Sequence, residues 1–212
     1  MGRMRVAVMA SGGGTNLQKL LEAFPAGDDS DAPARVVLVV TDRPGVGALE
    51  RAERAGVHTE VVPPSDYPDQ ISFGDKLNDL FAGAGVELVV LAGYLKMVPT
   101  NVVSAYSNRM INIHPALLPS FGGKGMYGRR VHEAVIASGA KVSGPTVHFV
   151  NEEYDRGLII AQSAVPVYHD DTPEVLASRV LEQEHELLPL VVELIASGKV
   201  EVEGGRVKVA RT

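Results

Sequence analysis

In the first half of the chain, short runs of valine, isoleucine and leucine alternate with segments of helical periodicity, and few folds accommodate that alternation. "RVAVMA" (5–10), "RVVLVV" (35–40), "HTEVV" (58–62), "VELVVLA" (86–92) and "RMINIH" (109–114) read as strands. Between them "TNLQKLLEAF", "VGALERAERAG", "ISFGDKLNDLFAGAG" and "PTNVVSAY" read as helices. In the first helix Leu17, Leu20, Leu21 and Phe24 share a face, with Thr15 expected as N-cap. Gly56 closes the second, and Gly74 weakens the third. The polar stretch "PAGDDSDAPA" is expected to be a surface loop. The strands are apolar throughout rather than alternating, as expected when helices cover both faces of a parallel sheet. The expected fold is therefore α/β: one doubly wound, mainly parallel, Rossmann-like sheet.

The rest of the chain continues with a helix in "GRRVHEAVIASG", strands in "PTVHFV" and "LIIAQSAVPV", and a long helix from Thr172, with Pro189 expected to kink it. A terminal hairpin in "KVEVEGGRVKV" turns at Gly204–Gly205. A chain of 212 residues suits one domain, here 1–212. It is expected to divide into a first half (1–110), a second half (111–198) and the hairpin (199–212).

Ligands of doubly wound sheets collect at the carboxyl ends of the strands. Two unusual polar segments fall there. The first is Ser11-Gly12-Gly13-Gly14-Thr15-Asn16, after the first strand. Glycines let the backbone approach a ligand, and the helix that follows offers free N–H groups to an anion. No Gly-Lys-Ser/Thr follows, so this is not a P-loop. As a dinucleotide fingerprint it is poor, because Leu17 stands at the third glycine position, although Asp42 does close the second strand. A monophosphate held by Gly14, Thr15 and Asn16, or a tight turn with no ligand, are the readings left open.

The second segment is "INIHPALLP". Asn112 and His114, two apart in a strand, share one face, and prolines then turn the chain away. An imidazole is a general acid/base near neutral pH. An Asn amide supplies donors for a developing oxyanion. Asp155, in "NEEYDRG" beyond the next strand, could orient the imidazole and favour its cation. His148 reads as a structural histidine, and His58, His132, His169 and His185 as helical, loop or surface residues. No G-x-S-x-G and no cysteine is present, which argues against a covalent intermediate. A set without a protein nucleophile fits direct acyl transfer to a substrate amine. Spacing matches no metal motif, so no metal is expected.

The absence of cysteine excludes disulfides and points to the cytoplasm. A formal net charge of −6 argues against a nucleic-acid surface. No signal peptide or membrane-spanning run is recognised, so a soluble protein is expected.

"NIHPALLPSF" with "HFVNEEYDRG" closely resembles the formyltetrahydrofolate-dependent transferases. "SGGGTNLQ", "GALERA", "VVLAGYLKMV" and "QEHELLP" narrow the resemblance to the members that serve purine synthesis, and it runs over nearly the whole chain. It implies formyl transfer from 10-formyltetrahydrofolate, as co-substrate, to the amine of glycinamide ribonucleotide. Asn112, His114 and Asp155 would be catalytic. Gly14, Thr15 and Asn16 would hold the acceptor's phosphate, and Glu184 its ribose hydroxyls. The pterin would lie against Tyr94, Leu95, Lys96, Met97 and Val98 and against Phe149, Val150 and Asn151. Lys96 stands where many relatives have Arg, and Gly13 where a polar residue is usual. The stretch from Phe121 to Gly128 is either a lid or a flexible loop. A homodimer is left open. Rival readings are a deformylase, a methionyl-tRNA formyltransferase and a non-catalytic nucleotide-binding protein.

Overall fold

The computed structural model describes residues 2–27 and 30–210, so Asp28 and Asp29 of the expected polar loop and the last two residues of the terminal segment lie outside the described residues. The chain forms two units, Met1–Ile111 and Asn112–Thr212.

The first unit begins with β1 (Met4–Ala10), whose last five residues are buried. Next come α1 (Thr15–Ala23), β2 (Ala34–Thr41), α2 (Gly47–Arg54), β3 (His58–Val61), a 3-10 turn at Pro64–Asp66, α3 (Gln70–Gly83), β4 (Leu88–Leu91) and α4 (Thr100–Ala105). The strand β5 (Met110–His114) starts here and runs into the second unit. β1 lies parallel between β2 and β4, and β2 pairs parallel with β3. Val6, Val8, Met9, Leu17, Leu20, Val36 and Val39 are fully buried around these strands. Each such side chain contributes roughly 1.5–3 kcal/mol relative to exposure. Phe81 packs edge-on to Tyr106, with ring centroids 5.4 Å apart.

Two local expectations change. Thr15 does not cap α1. Gly14 takes the cap position with φ +72°, and Thr15 is the first helical residue. A left-handed cap is where glycine has no steric penalty, so a Gly-Thr pair places the boundary one residue earlier than a Thr cap would. Gly74, read as a weakness in α3, has a packing reason. A Cβ there would lie 2.0 Å from Asn101 Oδ1. Asn101, on α4, lies over the helix and donates from Nδ2 to the Ile71 carbonyl (3.2 Å) and Asp75 Oδ1 (2.9 Å).

The second unit continues β5 and adds α5 (Arg129–Ser138), β6 (Val142–Ser143), β7 (Thr146–Phe149), β8 (Ile159–Gln162), β9 (Val165–Pro166), α6 (Pro173–Ala196) and the hairpin β10 (Val200–Glu203) and β11 (Arg206–Val209). The central strands follow the order β3-β2-β1-β4-β5-β7-β8, a mainly parallel seven-stranded sheet. β8 is antiparallel to β7. Thr172 caps α6 through its side chain, and Pro173 opens it as expected. The helix continues through Pro189. Val135, Val165, Val167, Leu176 and Val180 form a buried cluster with Phe121 against it.

The run 158–167 is not one strand. It splits into β8 and β9, and β9 leaves to pair antiparallel with β6. Gly144, at φ +141°, permits the split, because a Cβ there would lie 1.8 Å from the Ser163 carbonyl oxygen. Pro166 lacks an N–H and suits a two-residue edge ladder rather than a continued inner strand.

Candidate active site

Asn112 and His114 lie one period apart on β5, with Asn112 half-buried and His114 only 4 % exposed. Side chains of the neighbouring strands hold the turn that follows. Thr146 on β7 donates to the Ala116 carbonyl (2.7 Å) and accepts from the Leu118 N–H (3.0 Å). Gln162 on β8 donates to the Leu118 carbonyl at 2.9 Å. The Leu118–Pro119 peptide is cis. The prolines thus send the chain off, and the buried Thr146 hydroxyl with the Gln162 amide decides where it goes.

His148 belongs to this site, contrary to the purely structural role expected for it. Its Nδ1 donates to the Phe149 carbonyl at 2.8 Å, since a carbonyl can only accept. Its Nε2 therefore accepts, and Asn112 Nδ2 donates to it at 3.1 Å. An Asn amide has two N–H donors, and His148 uses one and fixes the plane of the other.

Asp155 arrives from the turn after β7. It adopts φ +55°, a left-handed conformation that costs a non-glycine residue roughly 1 kcal/mol. Its Oδ2 accepts from the Gly123 N–H at 2.8 Å and lies 3.6 Å from His114 Nδ1. Its Oδ1 lies 3.7 Å from His148 Nε2. The carboxylate thus faces both imidazoles. On the other side of the ring, His114 Nε2 donates to the Phe121 carbonyl at 2.9 Å.

These surroundings set the charge states. Burial pushes the His114 pKa down; the Asp155 charge and the Phe121 carbonyl oppose that without reversing it, and His148 adds to the lowering. The resting imidazole is therefore neutral at pH 7, not the standing cation that the Asp155 pairing suggested. For Asp155, burial would raise the pKa. The His148 ring, the His114 ring and the Gly123 N–H outweigh it, so the carboxylate stays below its ordinary range. His132 lies on α5, the helix read from the sequence, and is only 5 % exposed; burial followed by the nearby His114 lowers its pKa too.

Gly157 closes the turn that carries Asp155. A Cβ there would fall 1.6 Å from the Phe149 carbonyl oxygen, the acceptor that fixes His148. Gly157→Ala is expected to destabilise the protein by about 3 kcal/mol or more, the upper range for overpacking. Chemical denaturation together with turnover is the check, and both are expected to fall.

In the first unit, Gly14, Thr15 and Asn16 stand at the start of α1, with Asn16 buried. Among the pterin candidates there, Tyr94 and Val98 are buried, while Leu95 and Met97 are 48% and 43% exposed. The Leu95 N–H donates to Ser11 Oγ at 2.9 Å. Lys96 Nζ lies 3.9 Å from the buried Asp42 carboxylate. It edges an open recess of about 360 Å³, lined also by Arg43, Pro63, Pro64 and Ser65. In the second unit Phe149 is buried, and Asn151 Oδ1 accepts from the Glu153 N–H at 3.1 Å. Glu184 is buried on α6. Among the described residues no three His, Asp or Glu side chains gather in a way that could hold a metal ion.

The sequence signal for His148 was a histidine in an otherwise apolar strand, since a buried polar side chain needs a hydrogen-bond partner. Its partners could not be read, because Asn112 and Asp155 reach it from other segments.

Comparison with known proteins identifies the family. Residues 4–192 match the formyl transferase family model. The chain is 48% identical to the chloroplastic phosphoribosylglycinamide formyltransferase of Arabidopsis thaliana, over 94% of this chain and 68% of that one. It is 34% identical to the phosphoribosylglycinamide formyltransferase of Haemophilus influenzae, over 94% of this chain and 90% of that one. Among solved structures, glycinamide ribonucleotide transformylase 1 from Symbiobacterium toebii superposes with a TM-score of 0.90 at 40% identity, covering 99% of this chain and 95% of that one.

Proposed function

This chain belongs to the formyl transferase family, and we propose that it moves a formyl group from 10-formyltetrahydrofolate to the amine of glycinamide ribonucleotide, a step of purine biosynthesis. The observation that carries the reading is the linked set on the β5 and β7 ends: Asn112 on His148, and Asp155 between His148 and His114.

In the proposed mechanism the acceptor amine attacks the formyl carbon, and the carbonyl electrons move onto its oxygen. The second N–H of Asn112 donates to that oxyanion. His114 is neutral at rest, and its Nδ1 takes up the proton that the attacking amine loses as the oxyanion forms beside it. Asp155 stabilises the cation so produced. The proton lost by the amine passes, through Asp155 or water, to the folate nitrogen as the carbon–nitrogen bond to the donor breaks. A neutral resting histidine suits this, because the charge then appears only where the transition state needs it. Gly14, Thr15 and Asn16 would hold the phosphate, Glu184 the ribose, and the 94–98 and 149–151 segments the pterin. No helix among the described residues is long and apolar enough to cross a membrane. We place the protein in the cytoplasm on the absence of cysteine.

The test is the absorbance change on donor deformylation, measured with and without glycinamide ribonucleotide. Acceptor-dependent consumption is expected. Acceptor-independent consumption would make the chain a deformylase, and binding without turnover a nucleotide-binding protein. For the phosphate loop, Asn16→Ala is expected to weaken acceptor binding about tenfold or more while leaving folate binding unchanged, as titration calorimetry with each ligand would show. Equal weakening of both would mean that the loop is a structural turn.

A further inference from the structure

The segment Gly47–Ala52 packs behind the glycine loop, and its arginine has no part in the reading above. We infer that Arg51 is a positioning residue that orients the Gly13–Gly14 peptide for the acceptor's phosphate; this rests on the glycine loop being the phosphate site.

All three glycine carbonyls are held. Gly12 accepts from the Ala48 N–H at 3.1 Å, and Gly14 from the Gln18 N–H at 2.9 Å. Gly13, between them, accepts from Arg51 Nε at 2.8 Å. In a trans peptide the C=O and the N–H point in opposite directions. Drawing the Gly13 carbonyl onto Arg51 therefore turns the N–H of Gly14 away from α2. The Ala48 bond does the same for the N–H of Gly13. Two successive N–H groups facing the same way, ahead of α1, form a concavity that suits an anion. Glycine peptides rotate freely, so without these anchors the plane would be lost.

Arg51 also donates from its terminal nitrogen to Gln18 Oε1 at 3.0 Å. One rigid fork thus spans from the loop to the first turns of α1, which an ammonium cannot do. The fit is close. A Cβ at Gly14 would meet Ala48 Cα at 2.8 Å, and one at Gly47 would meet the Gly13 carbonyl oxygen at 3.0 Å. The packing brings α2 near enough for Arg51 to reach, and its charge stands behind the loop.

The test is steady-state kinetics of Arg51→Ala and Arg51→Lys beside Asn16→Ala, with glycinamide ribonucleotide and with the same acceptor lacking its phosphate. Arg51→Ala is expected to raise KM for the phosphorylated acceptor about ten- to a hundredfold, the usual loss for a charged hydrogen bond. With kcat and folate KM expected to stay within about twofold, the loss is one of uniform binding. Arg51→Lys recovers part of it, and kcat/KM for the dephosphorylated acceptor is the same in wild type and Arg51→Ala. If Asn16→Ala raises the acceptor KM and Arg51→Ala does not, the inference is wrong while the loop's role stands. If neither changes it, the loop is not the phosphate site. Should Arg51→Ala not fold, Arg51→Lys decides. A Lys variant that loses kcat and folate affinity in step with its melting temperature makes Arg51 only a structural tie.

Discussion

Asp155→Asn is expected to lower turnover by roughly a hundred- to a thousandfold, within the range for a group that manages protons in the transition state, with the protein still folded. Asn keeps an oxygen to accept from the Gly123 N–H and removes only the charge. That charge opposes the burial that holds the His114 pKa below its ordinary value. Without it the pKa drops further, and the imidazolium that forms beside the oxyanion loses its counter-charge. The sign for the pH profile follows. Activity needs neutral His114, so the wild-type rate falls on the acid side as pH drops below about 6.5 through the lowered His114 pKa. In Asp155→Asn that acid limb moves to lower pH, while the plateau falls. The profile reports coupled groups, since His148 and His132 share the field, so the shift of the limb is the quantity to compare. The measurement is kcat against pH for both proteins, beside thermal unfolding. A folded variant with native turnover and an unmoved acid limb would remove Asp155 from the mechanism.

Stability carries a second sign. The unfolded chain binds protons to its histidines below about pH 6.5, whereas buried His114 and His132 resist them. Below that pH the unfolded state takes up more protons, so stability falls with acid. Asp155, whose folded pKa is lowered, contributes stability at neutral pH that is lost as pH falls through that pKa.

Asn112→Ala is the second large effect. One oxyanion donor is worth a factor of about a hundred to a thousand in turnover. The loss is expected in kcat, with acceptor affinity nearly native, because the phosphate contacts proposed above involve Gly14, Thr15 and Asn16 instead. The substitution also leaves His148 Nε2 without the N–H that now reaches it at 3.1 Å. An unsatisfied buried acceptor costs about 1–3 kcal/mol, so a modest fall in melting temperature accompanies the kinetic loss. Asn112→Asp is expected to lower turnover at least as far, because a carboxylate cannot donate to an oxyanion and repels it. Retention of near-native kcat in Asn112→Ala would mean that another group stabilises the oxyanion.

What the sequence determined by itself was whatever depends on neighbours along the chain. Valine-rich runs alternating with amphipathic helices specify a mainly parallel sheet, because only covered strands can be apolar on both faces. Period two placed Asn112 and His114 together, and Thr172–Pro173 marked the start of the last helix. The tertiary structure decided what depends on residues far apart in sequence. Gly74 looked like a weakness until Asn101 was seen lying over it. The run 158–167 looked like one strand until Gly144 let Ser163 approach and β9 turned to β6. His148 looked structural until Asn112, 36 residues earlier, was found donating to it. The charge of His114 was decided the same way. A carboxylate nearby could be inferred from the motif, but burial opposes it, and only the folded chain sets how much water each group loses.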